Sequence, residues 1–235
     1  MDGTRTLGRR ERLRIETTAE IKAVAMDLMA EGGPGAISLR AIARQMGMTP
    51  NAIYAYFATR DDLVTTLISD VYTGLADATD AALDAAPPGD AAALIRAWGG
   101  AFRTWALAHP QGFRLIYSEA VPGYLSPEGG AGAEAEARFC LGLTRIAVTA
   151  WPHARHLHPD DFTWDDFETE LLAPIREIFP GLTPTALALT LRIWGHLHGI
   201  VSLEVYGHLR APAATLDKIY NAELAQLIRS LGIDP

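Results

Sequence analysis

Two stretches of the sequence carry side chains whose types and spacing could do chemistry. The first, MTPNAIYAYFATRDDL at 48–63, places a threonine, an asparagine and two tyrosines between two segments of helical periodicity. Hydroxyl and amide groups of this kind hydrogen-bond the phosphates and base edges of nucleic acids. The second, WPHARHLHPDDFTWDDFE at 151–168, gathers histidines and aspartates, which bind zinc or exchange protons.

The second stretch allows two interpretations. His153, His156 and His158 precede four aspartates, so a zinc site or an acid-base enzyme must be considered. Their spacing between two prolines is typical of a loop, however, and it does not match the HExxH helix pair of zinc hydrolases. A phosphate-binding glycine loop and a GxSxG motif are also missing from the sequence. We therefore predict no metal, no cofactor and no enzymatic activity.

Length, composition and cysteine content limit the class of protein. The chain has 235 residues, of which 49% are hydrophobic, enough for one domain or two modest ones. The single cysteine, Cys140, excludes an internal disulfide framework. The N-terminal residues do not combine a basic start with an apolar run. We therefore predict a cytoplasmic protein without a membrane partner.

Charge is distributed unevenly along the chain. The net charge is −8, but residues 1–60 hold nine Arg or Lys against six Asp or Glu, and residues 61–235 hold eleven against twenty-two. Phosphate binding needs local positive charge, which only the first part offers. Arginines at 5, 9, 10, 12 and 14 predict a flexible basic arm over 1–13. A solvated tail without a partner is an equally good interpretation of that arm.

The periodicity predicts an all-α fold, because nearly every apolar pattern repeats at helical spacing. A first helix over about 14–31 ends at the glycines that follow it. Ser38 caps a short second helix, and Gly47 ends it. After that turn, Thr49 is an N-cap and Pro50 takes the first position of a third helix.

This third helix has an inner and an outer side. Ile53 and Phe57 lie one turn apart and face inward, which leaves Pro50, Asn51 and Tyr54 facing outward. Two short helices joined by a glycine turn, with polar and aromatic groups outward, are typical of a DNA-reading helix-turn-helix. Tyrosines packed in a core are the alternative, which the caps and the turn make weaker.

The stretch ISLRAIARQMGMTPNAIYAYFATRDDL at 37–63 resembles the N-terminal DNA-binding domain of the TetR family of transcriptional regulators. The resemblance covers about residues 15–63 and divides the chain into a DNA-binding domain at 1–63 and a regulatory and dimerisation domain at 64–235. It implies phosphate contacts from Ser38, Thr49, Tyr54, Tyr56 and Arg60, the last replacing the more usual lysine. It places Arg40, Pro50 and Asn51 nearest the base edges.

The larger C-terminal part is also predicted to be helical, with helices near 60–82, 90–108, 111–120, 133–151 and 164–178. Its aromatic residues could be core, or they could wall the small-molecule cavity that the resemblance implies, and the sequence does not decide between these. The candidate pocket residues are Trp98, Phe102, Trp105, Phe113, Tyr117, Trp151, Trp194 and His198. The glycine-rich stretch at 122–133 could be a lid, although a plain surface connection is favoured.

The last two predicted helices, over about 185–209 and 214–231, carry a further resemblance. Trp194, His198 and Gly199 are similar to the Trp-x-x-x-His-Gly pattern of a TetR subgroup with a WHG-type C-terminal domain. Gly195 and Gly199 lie one turn apart and would let another helix approach closely. The resemblance implies that these two helices form the interface of a homodimer.

Together these features predict a repressor that binds an inverted-repeat operator in double-stranded DNA as a homodimer. A small, largely apolar ligand in the C-terminal domain would release it, with the helix from Arg60 to Ala82 transmitting the change. Two alternatives remain open. One is an enzyme built on the histidine-rich stretch, and the other is a helical scaffold that does not bind DNA.

Overall fold

The structure is a computed structural model that describes residues 8–118, 120–127, 129–159, 161–168 and 175–235. Within these ranges all regular elements are helices and no strand occurs, which confirms the predicted all-α class. Residues 175–178 are also helical. The named α-helices are α1 (Arg9–Gly32), α2 (Leu39–Gln45), α3 (Pro50–Tyr54), α4 (Arg60–Ala85), α5 (Ala91–Ala108), α6 (Pro110–Tyr117), α7 (Ala133–Ala154), α8 (Pro184–Val205) and α9 (Ala213–Ser230).

The chain folds as two compact units. The described residues of Met1–Val71 and Gln111–Ala133 form the first unit, and those of Tyr72–Pro110 and Glu134–Pro235 form the second. Helix α4 therefore contributes its beginning to the first unit and its end to the second. The predicted boundary at residue 63 separates a DNA-binding part from a regulatory part and does not coincide with these units. It stays a prediction.

The core of the first unit lies between α1, α2, α3 and the beginning of α4. Apolar side chains at helical spacing meet there, because each of these helices is apolar along one side only. Two residues from the later part of the chain, Leu115 and Val121, are buried in the same core. The main contributors from the first four helices are Ile21, Ala25, Ile42, Ile53, Leu63 and Val64.

Helix α1 begins at Arg9, five residues before the predicted start. The prediction of a flexible arm over 1–13 is therefore wrong from Arg9 onward, while residues 1–7 lie outside the described residues. The reason is local: the segment from Arg9 consists of good helix formers, with Glu11 in the first turn where a carboxylate is favourable. The helix ends at the glycines, as predicted: Gly32 is its last residue, and the C-cap Gly33 has a φ of 75°, which favours glycine.

Helix α5 is central to the second unit, where it packs against both α8 and α9. Trp98 and Phe102 of α5 are completely buried. A smaller cluster around Leu182, Ala186 and Leu187 collects the partly buried rings of Trp151, Trp164, Phe167 and Phe179. The aromatic residues of this unit are thus divided between separate packing clusters.

The predicted helix over 164–178 is wrong at its beginning. Trp164–Asp166 is a single 3-10 turn, and Phe167 is extended. The turn closes on itself because Asp166 Oδ2 accepts a hydrogen bond of 2.7 Å from the backbone N–H of Thr163. Residues 169–174 lie outside the described residues, and the chain is helical again at 175–178.

Helix α8 is the one helix of the described residues that is long and apolar enough to cross a membrane, judged by length and composition alone. Ten of its residues are buried within the second unit, among them Ile193, Leu197 and Val201. The buried core helix of a soluble protein can be as apolar as a membrane-spanning helix, because its apolar side chains face other helices.

Candidate DNA-binding surface and effector unit

Helices α2 and α3 are joined by a tight turn that the sequence specifies residue by residue. Gly47 has a φ of 65°, a backbone conformation that favours glycine. The next residue, Met48, donates its N–H to Ala43 O at 2.8 Å and so closes the end of α2. Thr49 Oγ1 accepts a hydrogen bond of 3.3 Å from the N–H of Ala52, which confirms the predicted N-cap. Pro50 then opens α3 at its first position.

The inner side of α3 is anchored in the core of the first unit. Ile53 is completely buried and Phe57 nearly so, as the spacing predicts. Leu39, Ile42 and Ala43 of α2 are buried in the same core. Because α3 is only five residues long, these contacts rather than helix propensity hold it in place.

The outer side of α3 is exposed and carries predicted DNA contacts. Tyr54 exposes 44% of its surface, and Thr49, Pro50 and Asn51 are exposed beside it along the chain. Arg40 is exposed on α2. Five of the eight predicted DNA-contacting residues are thus exposed on α2, on α3 or at the N-cap of α3, and all of these but Pro50 carry polar or aromatic groups.

Two predicted contacts, Ser38 and Tyr56, are only partly exposed. Ser38 occupies the N-cap position of α2 with an extended backbone, but its side chain makes no capping hydrogen bond. Tyr56 packs against the core, and the Arg14 guanidinium carbon lies 5.7 Å from the centre of its ring. Arg14 also donates to Ala55 O at 3.5 Å, so α1 supports the end of α3, a contact that the local sequence pattern did not reveal.

The eighth predicted contact, Arg60, turns its guanidinium toward the protein. Nε donates to Ile37 O at 2.8 Å, Nη1 to Pro122 O at 3.0 Å, and Nη2 to Pro34 O at 3.5 Å. Its side chain is 27% exposed. The resemblance implies that Arg60 contacts a DNA phosphate. In the structure, each of its three guanidinium nitrogens instead donates to a backbone carbonyl oxygen.

The stretch around residue 122 is more than a plain surface connection. Val121 is buried in the core of the first unit, and Ala131 is also buried. Tyr124 Oη lies 2.9 Å from Thr65 Oγ1, within hydrogen-bonding distance. These contacts attach the described residues of the glycine-rich stretch to the unit that carries α2 and α3.

In the second unit, four of the predicted pocket residues share one aromatic cluster. The Phe102 and Trp194 rings lie 5.2 Å apart, and the Trp194 and His198 rings 4.6 Å apart. Trp98 stacks on Phe102 at 5.3 Å. Phe139 of α7, which the sequence prediction did not include, lies 4.9 Å from Trp98 and completes the cluster. Trp98 and Phe102 form its buried part, while Trp194 and His198 lie at its partly exposed edge.

The other four predicted pocket residues lie elsewhere. Trp105 stacks on His109 at 5.0 Å, and Trp151 belongs to the cluster around Leu182. Phe113 and Tyr117, whose rings are 4.9 Å apart, fall in the first unit. None of four concavities found in the described chain, of about 410, 330, 340 and 600 Å³, is lined by any of the eight. The expected single set of pocket residues is therefore not assembled in this structure.

His198 has the environment of an interior histidine. Its ring contacts Trp194, and the Ser202 hydroxyl lies 3.4 Å from Nδ1. Burial lowers the pKa of His198 below the ordinary value for histidine, because the charged form loses hydration. The imidazole thus packs against the Trp194 ring and lies within hydrogen-bonding distance of Ser202.

The histidine-rich stretch does not bring its side chains together in the described residues. His153 belongs to α7 and His156 to the 3-10 turn Arg155–Leu157. His158 Nδ1 lies 2.6 Å from Arg192 Nη1. Burial and this neighbouring cation lower the pKa of His158. Among the residues that the structure describes, no group of three or more His, Cys, Asp or Glu is arranged to hold a metal ion.

Comparison with known proteins agrees with both units. Residues 21–67 match the family described as bacterial regulatory proteins, tetR family, and residues 95–227 match one described as tetracyclin repressor-like, C-terminal domain. The HTH-type transcriptional regulators Mb1846 of Mycobacterium bovis and Rv1816 of Mycobacterium tuberculosis are each 31% identical to the chain, over 89% of either length. These matches do not confirm the WHG subgroup.

Solved structures show the same fold. The regulatory protein SCO4313 has a TM-score of 0.71 and 30% identity over 94% of this chain and all of its own. A regulatory protein of the tetR family from Rhodococcus RHA1 has a TM-score of 0.64 over 94% of this chain and 99% of its own, and at 22% identity it supports the fold alone. With a helix-turn-helix in the first unit and matches to the family in both units, the chain belongs to the TetR family of DNA-binding transcriptional regulators.

Proposed function

We propose that the protein is a ligand-controlled repressor that binds an inverted-repeat operator as a homodimer. The observation that carries this proposal is that α3 has one buried side and one exposed side. Ile53, and Phe57 just after the helix, are buried, while Asn51 and Tyr54 are exposed. A short helix whose inner side is locked in a core can present its outer side rigidly to the major groove.

The proposed DNA-contacting residues have distinct roles. Tyr54 and Thr49 would donate hydroxyl hydrogen bonds to phosphate oxygens, which fixes the position of the protein on the duplex. Asn51 can make a two-point contact with an adenine edge, and Arg40 with a guanine edge. Pro50 would lie against the bases beside them. Ser38 and Tyr56, being partly covered, would contribute less.

A second copy of the chain is the proposed occupant of an open stripe on α8. Leu191, Gly195, Gly199 and Leu203 recur every four residues and so lie in one row along the helix. The two leucines are 58% and 45% exposed, and a side chain built at either glycine would meet no atom within 4 Å. Small residues between exposed apolar ones let another helix approach closely. The family resemblance likewise implies that the last two helices pair with their copies in a dimer.

Dimerisation would determine the symmetry of the operator. A two-fold pair presents two copies of α3 to half-sites about one helical turn of DNA apart, so the site should be an inverted repeat. An effector can favour one spacing between the two copies of α3. If the coupling free energy between effector and DNA binding is about 1–3 kcal/mol, DNA affinity changes by about five- to 150-fold.

The effector is proposed to be small and largely apolar, and to bind in the second unit at the aromatic cluster of Trp98, Phe102, Phe139, Trp194 and His198. Trp194 and His198 are its partly exposed members, so they are where a ligand would first make contact. A ring system would gain from stacking against them. The Trp194, His198 and Gly199 pattern also supports, as a proposal, assignment to the WHG-type subgroup. A cytoplasmic location belongs to the same proposal.

The test measures binding of the full chain to duplexes from the DNA that flanks its own gene. Fluorescence anisotropy gives the affinity at about 50 and about 200 mM salt. With six to ten phosphate contacts, affinity should fall by roughly 10³- to 10⁵-fold between these conditions. Tyr54→Phe, which removes only the hydroxyl, and Tyr54→Ala should both weaken binding. Equal binding of unrelated duplexes would contradict a specific operator. A signal that does not change with salt, or no binding to any duplex, would favour the helical scaffold that does not bind DNA.

A further inference from the structure

Arg60 begins α4, yet its hydrogen bonds all go to parts of the chain distant in sequence. Two acceptors, Pro34 O and Ile37 O, belong to the turn before α2. The third, Pro122 O, belongs to the stretch after α6. A guanidinium can span such acceptors because its donors diverge in one plane, whereas a lysine ammonium is a single point.

The two stretches that Arg60 joins are also neighbours of each other. A side chain built at Gly35 would lie 3.8 Å from Pro122 Cγ. The hydroxyls of Thr65 and Tyr124 pair at 2.9 Å, five residues further along α4, and Val121 is buried. Residues 121–124 are therefore held to the first unit by a buried apolar side chain and by two polar contacts from α4.

The position of Ile37 connects this arrangement to DNA reading. Ile37 is buried, and its carbonyl precedes Ser38, the N-cap of α2. Holding that carbonyl fixes where α2 starts, and with it the direction of the exposed Arg40. Loss of the Arg60 contacts would free the turn before α2 and residues 121–124 together.

We propose that Arg60 is a positioning residue which fastens residues 121–124 to the turn before α2, and that it does not neutralise a DNA phosphate. Through this fastening, residues 121–124 control the geometry of the DNA-reading surface. The proposal rests on the proposed DNA-binding function for its effect on affinity, while the fastening itself can be measured without DNA.

The first measurement is hydrogen exchange of the full chain without DNA, read on peptides that cover residues 115–127. Arg60→Lys and Arg60→Gln should both speed exchange there by about tenfold or more, because neither side chain can span the three carbonyl acceptors of Arg60. Tyr124→Phe should act in the same direction without altering any positive charge. Arg40→Gln, a change on the exposed side of α2, should leave these peptides unchanged and is the matched control.

The second measurement is the salt dependence of binding to a duplex selected by the wild-type protein from a random pool. A lost phosphate contact would lower the slope of log K against log salt by about 0.9 for each protomer. We expect Arg60→Gln, Arg60→Lys and Tyr124→Phe to weaken binding about fivefold or more with an unchanged slope. Circular dichroism at the assay temperature should show that each variant keeps its helix content.

The outcomes separate the alternatives. A reduced slope in Arg60→Gln, or unchanged exchange over 115–127, overturns the proposal. Wild-type binding and slope retained by Arg60→Lys also overturn it, because a phosphate contact needs only the charge. If the wild-type protein selects no duplex, the proposed function fails, and the exchange experiment still decides whether Arg60 fastens residues 121–124.

Discussion

Arg103 and Glu204 form a two-point ion pair between α5 and α8, with Nε 2.7 Å from Oε2 and Nη2 2.7 Å from Oε1. Nη1 also reaches Asp217 of α9 at 2.8 Å, and the guanidinium carbon lies 5.0 Å from the centre of the Tyr220 ring. The hydrogen bond with Glu204 raises the pKa of Arg103 further, so the side chain stays charged at any working pH. One arginine thus links α5 to both helices of the proposed dimer interface.

Arg103→Met should therefore destabilise the second unit strongly. The Arg103 and Glu204 side chains are only 14% and 9% exposed, and removing one partner leaves the other charge covered and unpaired. We expect a loss of about 3 kcal/mol in the free energy of unfolding. Urea titration at fixed protein concentration, followed by tryptophan fluorescence, measures it, since all five tryptophans lie in this unit.

The control for this experiment is Asp217→Asn. Asp217 is 59% exposed, so its ion pair is screened by solvent and should contribute no more than about 1 kcal/mol. If Arg103→Met costs no more than Asp217→Asn, the Arg103 and Glu204 pair does not stabilise the packing of α5.

Gly99 and Gly100 are adjacent in α5 but should respond oppositely to alanine. A methyl group at Gly99 would lie 3.0 Å from Leu224 Cδ2 and 3.2 Å from Tyr220 Oη, whereas one at Gly100 would meet no atom within 4 Å. We expect Gly99→Ala to cost about 1–3 kcal/mol through overpacking. Gly100→Ala should gain about 0.5–1 kcal/mol, because alanine favours the helix.

Thermal unfolding of these two variants beside the wild type gives the comparison directly. The Tyr220 hydroxyl donates to Gly99 O at 2.7 Å, so displacement of α9 by the new methyl group would break this bond as well. Equal melting temperatures for the two variants would mean that α9 does not approach Gly99 of α5 as closely as 3.0–3.2 Å from a methyl group there.

Local sequence signals predicted α2, the glycine turn and α3, although Ser38 does not make the predicted capping hydrogen bond. Thr49 caps α3 as expected. The reciprocal hydrogen bonds of Thr59 and Asp62, both 3.0 Å, form a capping box at the start of α4, where the sequence predicts that a helix near 60–82 begins. Such signals act within a few residues, so they can be read without knowing the fold. Arg60 shows the limit of this reasoning, because its acceptors lie 23 to 62 residues away along the chain.

The aromatic residues show the same limit in the second unit. Helical spacing places Trp98 and Phe102 on one side of α5, and both are buried together. Spacing cannot tell that Phe139 joins them while Trp151 packs near Leu182 instead. Tertiary contacts between helices decide this partition, and an apolar stripe looks the same whether it faces a cavity or a core.

The stripe on α8 predicts which changes should separate the dimer. Leu191→Glu and Gly199→Glu would each place a charge on the proposed apolar interface. We expect at least about a tenfold increase in the dimer dissociation constant, because a buried unpaired charge is costly. Sedimentation velocity at several protein concentrations measures it. Leu107→Glu, on an exposed leucine of α5, is the control and should leave the association state unchanged.

Dimerisation should also control DNA binding in these variants. A monomer reads one half-site only, so Leu191→Glu should lose affinity for a full inverted repeat while keeping its affinity for a single half-site. A wild-type protein that sediments as a monomer at the concentrations where it binds DNA would contradict the proposed interface.

Acid should destabilise the second unit through its half-buried histidine, His198. Burial lowers the pKa of His198 in the folded chain, so below the ordinary histidine pKa of about 6.5 the unfolded chain binds more protons than the folded one. The contribution to stability is complete above that value and is lost as the pH falls through the folded pKa. His158, whose pKa is lowered by burial and Arg192, acts in the same direction.

Urea midpoints measured from pH 8 to pH 5 should therefore be flat down to about pH 7 and then fall. His198→Phe keeps a ring in contact with Trp194 but cannot bind a proton, so its midpoint should fall less steeply over the same range. The flat region above pH 7 serves as the internal control for general effects of the substitution. If wild type and variant fall in parallel below pH 7, His198 is not the buried group that responds to acid, and its partly exposed ring must be hydrated in the folded protein.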